Sequence, residues 1–238
     1  LIDVKAEKVI DSVEIQKSWY GIEFTSDERF IYVSGGHDNQ ILKYEITGGK
    51  LKVVDKISLG KPWPNRIGPA GLTIDESKNL IYVVTREDKQ LYMVDLGSKK
   101  IIGQFGLDAE AYDCKLSKDK KELFITCWGC DKVLVFDLVN NRWNKSITVG
   151  DNPNEMLLTA DGKLLYVCNA NDNSVSVIDV KSKVVIETLD AALYPNAPSG
   201  STTNSLAIDP VAKRLYIANA DNNCLAVFDI AAKGKSIA

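Results

Sequence analysis

The sequence has a single histidine, His37, and no apolar run approaching the ~20 residues that cross a bilayer. One histidine supplies no set of imidazoles for a metal centre and little material for general base catalysis. There is no G-x-S-x-G elbow, no phosphate-cradling glycine loop and no paired carboxylates outside the repeat described below, so no catalytic group is assigned. Neither sign of charge is in excess: 29 Lys and Arg stand against 32 Asp and Glu, for a net charge of -3. A nucleic-acid surface needs a basic excess and is not expected. The five cysteines, Cys114, Cys127, Cys130, Cys168 and Cys224, are odd in number and irregular in spacing, which excludes a disulfide-built scaffold. No window shows sustained helical periodicity. An initiator methionine and a leader segment are also missing, because Leu1-Ile2-Asp3-Val4 opens directly on structured sequence. We therefore expect the natural chain to be longer.

What the sequence does have is a repeat. Leu165–Val180 reads LYVCNANDNSVSVIDV: a strand, an Asn/Asp turn and a second strand. Asn and Asp suit the turn because their side chains bond local backbone and tolerate a left-handed conformation. Related copies begin at Ile31, Ile81, Phe124 and Leu215. The first-strand aromatics are Tyr32, Tyr82, Phe124, Tyr166 and Tyr216, spaced 50, 42, 42 and 50 residues apart. The acids that close the second strand, Glu45, Asp95, Asp137, Asp179 and Asp229, keep the same spacings. Asp3 lies 42 residues before Glu45, which makes the first residues the tail of a further copy.

Between copies lie an outer strand (residues 8–15, 51–59, 101–107, 143–149 and 184–189) and a short inner strand (20–24, 71–74, 112–116, 155–159 and 205–208). Four antiparallel strands in ~42 residues is the spacing of a β-propeller blade. The expected fold is all-β, a single propeller domain over residues 1–238. One blade would end at residues 1–15, blades would start near 20, 70, 111 and 154, and an incomplete last one would occupy 204–230. Five inner strands allow a five-bladed ring, but the redundant first strand favours part of a seven-bladed one. Its open edges would need covering by a protein partner or further sequence.

The text L-Y-V-x-N-x-x-D-N-x-V-x-V-I-D resembles the YVTN-type propeller repeat. Residues 60–65 (GKPWPN), 193–198 (LYPNAP) and 219–229 (NADNNCLAVFD) further resemble the N-terminal propeller of bacterial proteins that join it to a phosphoesterase of the alkaline-phosphatase superfamily. That resemblance implies an exported protein, periplasmic or on the outer surface, and phosphoesterase chemistry outside these residues.

Both 50-residue periods enlarge the loop before the inner strand, at residues 61–70 and 194–204, on the same end as the Asn/Asp turns. Such loops either carry a site or serve as Pro-rich spacers. That end also collects Trp19, His37, Trp63, Arg66, Arg86, Tyr112, Trp128 and Tyr194. These are the candidate ligand-binding residues, for a small molecule, glycan or peptide. They equally suit gap-filling between blades with their polar tips wet.

Cys127-Trp128-Gly129-Cys130 is a C-x-x-C in a turn. It lacks the helix N-terminus of a redox motif and the further ligands of a zinc site, so it reads as turn residues with incidental thiols. Export would permit a local disulfide. The Asp/Asn turns at 38–39, 131, 171–173 and 221–223 have a job as turn formers before any role with calcium. Asn144-Lys145-Ser146 matches a glycosylation sequon that a bacterial source would leave idle. No metal and no cofactor is expected.

The functional expectation is a non-catalytic binding or scaffold module that recognises a ligand or protein domain. Alternatives are a lactonase-like or quinoprotein-like enzyme with a site in the central funnel, near Glu23, Asp113 and Glu155, or a structural surface-complex subunit.

Overall fold

A computed structural model describes residues 1–16, 18–194 and 197–231. Contacts group the chain into two compact units, residues 1–111 and 112–238. The Pro195-Asn196 part of the 193–198 motif lies outside the described residues.

The first unit begins with a two-stranded hairpin, β1 (Ile2–Asp3) and β2 (Lys8–Val9). Two four-stranded antiparallel blades follow: β3 (Ile22–Phe24), β4 (Phe30–Ser34), β5 (Gln40–Thr47) and β6 (Lys50–Ser58), then β7 (Pro69–Asp75), β8 (Leu80–Thr85), β9 (Gln90–Asp95) and β10 (Lys100–Gly106). The second unit holds two more four-stranded blades, β11 (Ala111–Leu116) to β14 (Arg142–Thr148) and β15 (Pro153–Leu158) to β18 (Val184–Asp190). A three-stranded one completes it, β19 (Thr203–Asp209), β20 (Arg214–Asn219) and β21 (Cys224–Asp229).

The repeat landmarks are structurally equivalent. Each aromatic pairs with the residue eleven positions on: Tyr32 with Lys43, Tyr82 with Met93, Phe124 with Val135, Tyr166 with Val177 and Tyr216 with Val227. The closing acids act as turn formers. Asp95 accepts from the Ser98 N–H at 2.6 Å, Asp179 from Ser182 at 2.7 Å and Asp229 from Ala231 at 2.8 Å. The turn between the two repeat strands needs one left-handed residue in every blade. Asn39, Lys89, Asp131, Asn173 and Asn223 supply it, with φ of 50–55°. Where the outer strand pairs, each four-stranded blade carries one bulge at the same register, leaving Val54, Ile102, Asn144 and Ile186 as the extra residues. A repeated bulge sharpens the twist of each outer strand in the same way. Asn144 of the sequon is thus a bulge residue, and its side chain bonds Glu122 at 3.0 Å.

The cores lie between neighbouring blades. Tyr32, Ile41 and Ile57 pack on Leu72, Ile81 and Val83 in the first unit. In the second, Phe124, Val133 and Val135 pack on Met156, Leu165 and Val167, and Val175 and Val177 on Leu206, Leu215 and Ile217. Each blade is half-buried on both faces, which is why its middle strands are almost continuously apolar.

The expectation of a seven-bladed ring is not met: the described residues form five blades of three or four strands. The extra copy inferred from Asp3 is not a blade strand. Asp3 does form a repeat-like turn, accepting from the Lys5 and Ala6 N–H groups at 3.0 Å, but this closes the β1–β2 hairpin. The outer strand expected over residues 8–15 shrinks to Lys8–Val9 for the same reason. Among the described residues, β21 has no outer partner strand.

Candidate functional site

Five of the eight candidate residues meet in the first unit. Trp19 precedes β3, and its neighbour Ser18 donates to the Ser34 carbonyl at 2.6 Å, which pins that segment to β4. His37 sits in the 3₁₀ turn Gly36–Asp38 between β4 and β5. Trp63 and Arg66 come from the enlarged loop between β6 and β7, where the Trp63–Pro64 peptide is cis. Arg86 lies in the turn after β8.

The groups form a row. The Arg86 guanidinium lies 4.1 Å over the Trp19 ring, and Trp19 meets His37 edge-on at 6.2 Å. His37 stacks on Trp63 at 5.6 Å, and Arg66 lies 4.8 Å from the Trp63 ring centre. The row is open to water: Trp19 is 44% and Trp63 50% exposed. Large aromatic surface left in water is a marker of an interaction site.

Two carboxylates that sequence reading missed complete the row. Glu87 Oε1 is 3.3 Å from His37 Nε2, and Glu110 is 3.5 Å from the Arg86 guanidinium. The other Glu87 oxygen, Oε2, is buried with no hydrogen-bond partner among the described residues. A signal for Glu87 was present: it stands 50 residues after His37, at the same register of the next blade.

The supporting loop is held from below by Asn39. Its side-chain NH₂ donates to the Lys61 and Asn65 carbonyls at 2.7 and 2.8 Å, and its Oδ1 accepts from the Ile67 and Gly68 N–H groups at 3.1 and 3.2 Å. The Arg86 N–H then donates to the Gly68 carbonyl at 3.0 Å, tying the two loops together. Asn173 repeats the device in the second enlarged loop, bonding Pro198, Gly200 and Ser201. The Asn/Asp turns are therefore staples for the next loop as well as turn formers.

The other three candidates lie in the second unit. Tyr112 stacks on Trp128 at 5.5 Å, with 19° between the rings. Trp128 opens the 3₁₀ turn Trp128–Cys130, and the reading of incidental thiols needs correcting: Cys127 and Cys130 form a disulfide across this turn. Tyr194 stands apart from that pair, 56% exposed beside a cleft of about 130 Å³ with Leu193, Pro198 and Asn222. That is below the few hundred Å³ of a usual small-molecule pocket. A neighbouring cleft of about 360 Å³ is lined by polar residues including Asp172, Thr188 and Asp190, and by none of the predicted ones.

Sequence-wide comparison decides the family. The model of the YncE-like β-propeller matches residues 1–237. The chain belongs to the YncE-like β-propeller family. YncE of Salmonella typhimurium is 28% identical over 207 residues, covering 82% of this chain and 56% of that one. Antigen Lp49 of Leptospira interrogans is 24% identical over 172 residues, covering 63% of this chain and 35% of that one. The chain thus spans little more than half the length of one curated relative and about a third of the other. Among solved structures, hydrazine synthase of Kuenenia stuttgartiensis superposes with a TM-score of 0.67 at 17% identity, over 92% of this chain and 78% of that one, a likeness of fold alone.

Of Glu23, Asp113 and Glu155 in this YncE-like chain, Asp113 is the one fully buried. Burial pushes its pKa up to about 6, against the opposing pull of Lys115 and of the Met156 and Cys114 N–H groups that it accepts, while Glu155 adds to the rise. The folded protein then holds a proton that the unfolded chain, with its ordinary value of 3.8, releases. Stability from this group is therefore greatest below about pH 4, falls as pH rises to about 6 and levels off beyond. Asp113→Asn keeps the shape, loses one of the two backbone bonds and does not titrate. The stability difference between wild type and Asp113→Asn, from urea unfolding at pH 4 and pH 7, is expected to move against the wild type by up to about 3 kcal/mol. An unchanged difference would show that folding does not raise the Asp113 pKa. No group of three or more His, Cys, Asp or Glu able to hold a metal occurs among the described residues.

Proposed function

We propose that this propeller is a non-catalytic recognition module that binds its ligand or partner domain through the row Arg86–Trp19–His37–Trp63–Arg66. We further propose that it works within a longer, exported polypeptide, whose phosphoesterase chemistry lies outside these residues. The supporting observation is the convergence of four separate segments on one open row of stacked groups. Two tryptophans half in water gain nothing for folding that burial would not gain at ~25 cal/mol per Å². Trp and Arg are also the residues most often dominant in binding energy. The export reading and the phosphoesterase context are supported by the motifs at residues 60–65, 193–198 and 219–229.

The test is capture from a cell-envelope extract of the source, comparing immobilised wild type with Trp63→Ala and Arg66→Ala. Both side chains are exposed loop groups, so the fold should survive, as circular dichroism would check. The wild type is expected to retain a species that Trp63→Ala binds about 30-fold more weakly, the equivalent of about 2 kcal/mol at a dominant contact. Equal retention by all three proteins, or none by any, would overturn the reading.

A further inference from the structure

We propose that the Cys127–Cys130 disulfide is a site of thiol–disulfide exchange, which takes a thiol as its substrate and passes through a mixed disulfide on Cys130. The site lies in the second unit and uses no residue of the row. The first observation is that the bond is not what makes the turn. A 3₁₀ turn of the same length forms at this register in the first blade, over Gly36–Asp38, closed by left-handed Asn39 and with no cysteine. Here Trp128–Cys130 is closed by left-handed Asp131 in the same way. The turn has supports of its own. The Val149 N–H donates to the Asp131 carbonyl at 3.0 Å, the Asn152 side chain donates to the Trp128 carbonyl at 3.1 Å, and Trp128 stacks on Tyr112. A bridge between residues three apart closes a very short loop, the kind that restrains the unfolded chain least. Reduction therefore leaves two thiols held side by side by a folded turn, ready to close again.

The two sulfurs also differ in access and in surroundings. Cys127 ends β12 (Glu122–Cys127) and is fully buried, whereas Cys130 on the turn is partly exposed, so an incoming thiolate meets Cys130. Cys127 stands opposite Lys132, the first residue of β13 (Lys132–Asp137), and paired residues share a face about 5 Å apart. Lys132 pairs with no carboxylate among the described residues. A cation beside a cysteine stabilises its thiolate, and a stabilised thiolate leaves faster. The equivalent positions of the other blades hold Gln40, Gln90, Ser174 and Cys224, so the turn with the disulfide is the one with a cation at this register. Asp131, the acid next to Cys130, turns one carboxylate oxygen to the Asn152 N–H at 3.3 Å. In the reaction a thiolate RS⁻ attacks Cys130 Sγ, the S–S bond breaks, and its electron pair leaves on Cys127 Sγ. A second thiolate attacks the R sulfur of the mixed disulfide, which releases RSSR and the Cys130 thiolate. Two thiols are oxidised to one disulfide, the protein disulfide is reduced, and the two protons given up end on Cys127 and Cys130. A disulfide RSSR runs the same steps backwards.

The experiment treats the whole chain, without denaturant, with 2-mercaptoethanol, then with bis(2-hydroxyethyl) disulfide. Thiols are alkylated and mapped by mass spectrometry, which separates this pair from Cys114, Cys168 and Cys224, and circular dichroism follows the fold. The bond is expected to open at least about tenfold faster than bis(2-hydroxyethyl) disulfide itself reacts with the same thiol, to leave the fold signal unchanged, and to return on oxidation. Given the small disulfide, Cys127→Ser should trap a mixed disulfide on Cys130, and Cys130→Ser should form one at the buried Cys127 at least about tenfold more slowly. Lys132→Gln should slow opening of the wild-type bond by about threefold or more. Opening no faster than that of the small disulfide, or only where the fold signal is lost, would make the bond structural and overturn the inference. Trapping at Cys127 as fast as at Cys130, or opening indifferent to Lys132→Gln, would overturn it as well. None of these outcomes bears on capture through Trp63, so this site and the recognition reading stand or fall separately.

Discussion

Asn39→Ala is expected to destabilise the protein by about 3–4 kcal/mol and to release the loop that carries Trp63. Asn39 is fully buried, and its side chain makes four hydrogen bonds to the backbone of residues 61–68. Each is worth on the order of 1 kcal/mol net, and the buried Gly68 N–H would keep no partner in its place. Alanine would also have to hold φ at 51°, which costs a residue with a Cβ about 1 kcal/mol more. Asn39→Gly separates the two effects, because glycine accepts the backbone and restores none of the bonds. It should recover about 1 kcal/mol of the loss. Equilibrium urea unfolding measures both variants. An Asn39→Ala protein within ~0.5 kcal/mol of wild type, the range of an ordinary surface change, would refute the staple. The same variant should abolish Trp63-dependent binding, because the loop is positioned by these bonds.

Gly21→Ala should cost at least about 3 kcal/mol, at the upper end of overpacking effects. A Cβ on Gly21 would stand 2.0 Å from the Ala70 carbonyl oxygen and 3.1 Å from its carbon, with Ser34 Oγ also at 3.1 Å. The obstacle is the backbone of the next blade, so no side chain can swing aside. Relief requires the first blade to draw away from the second, which opens the core between Ile41 and Leu72. Gly48→Ala is the control. Gly48 has φ of 56° and nothing within 4 Å of a Cβ, so only backbone strain of about 1–2 kcal/mol applies. Thermal and chemical unfolding should rank Gly21→Ala as the more damaging, although only Gly48 has a left-handed backbone. The reverse order would show that the two blades do not approach as closely as Gly21 and Ala70 indicate.

The blades were legible because their determinants are local. A strand, a two-sided apolar pattern and an Asn or Asp that tolerates a left-handed turn recur at fixed spacing, and hydrogen-bonded pairing over eleven residues follows from them. The same logic placed Trp19, His37, Trp63, Arg66 and Arg86 on one end of their blades. Local pattern failed where a segment's partner is chosen by distant contacts. Asp3 carries the spacing of a blade, yet its strand pairs with Lys8–Val9. Cys127 and Cys130 read as independent thiols until the turn brought them to a bond.

By itself, then, the chain's text determined the all-β repeat, its register and which residues face the loop end, because each depends on neighbours within one hairpin. Only the tertiary structure decided the five blades, the double use of Asn39 and Asn173 as staples, and the row that joins Trp19 to Arg66 through His37. Glu87 and Glu110 entered that row the same way. These depend on contacts between loops of different blades, whose geometry is set by the close approach of one backbone to another and leaves no mark in any single copy of the repeat.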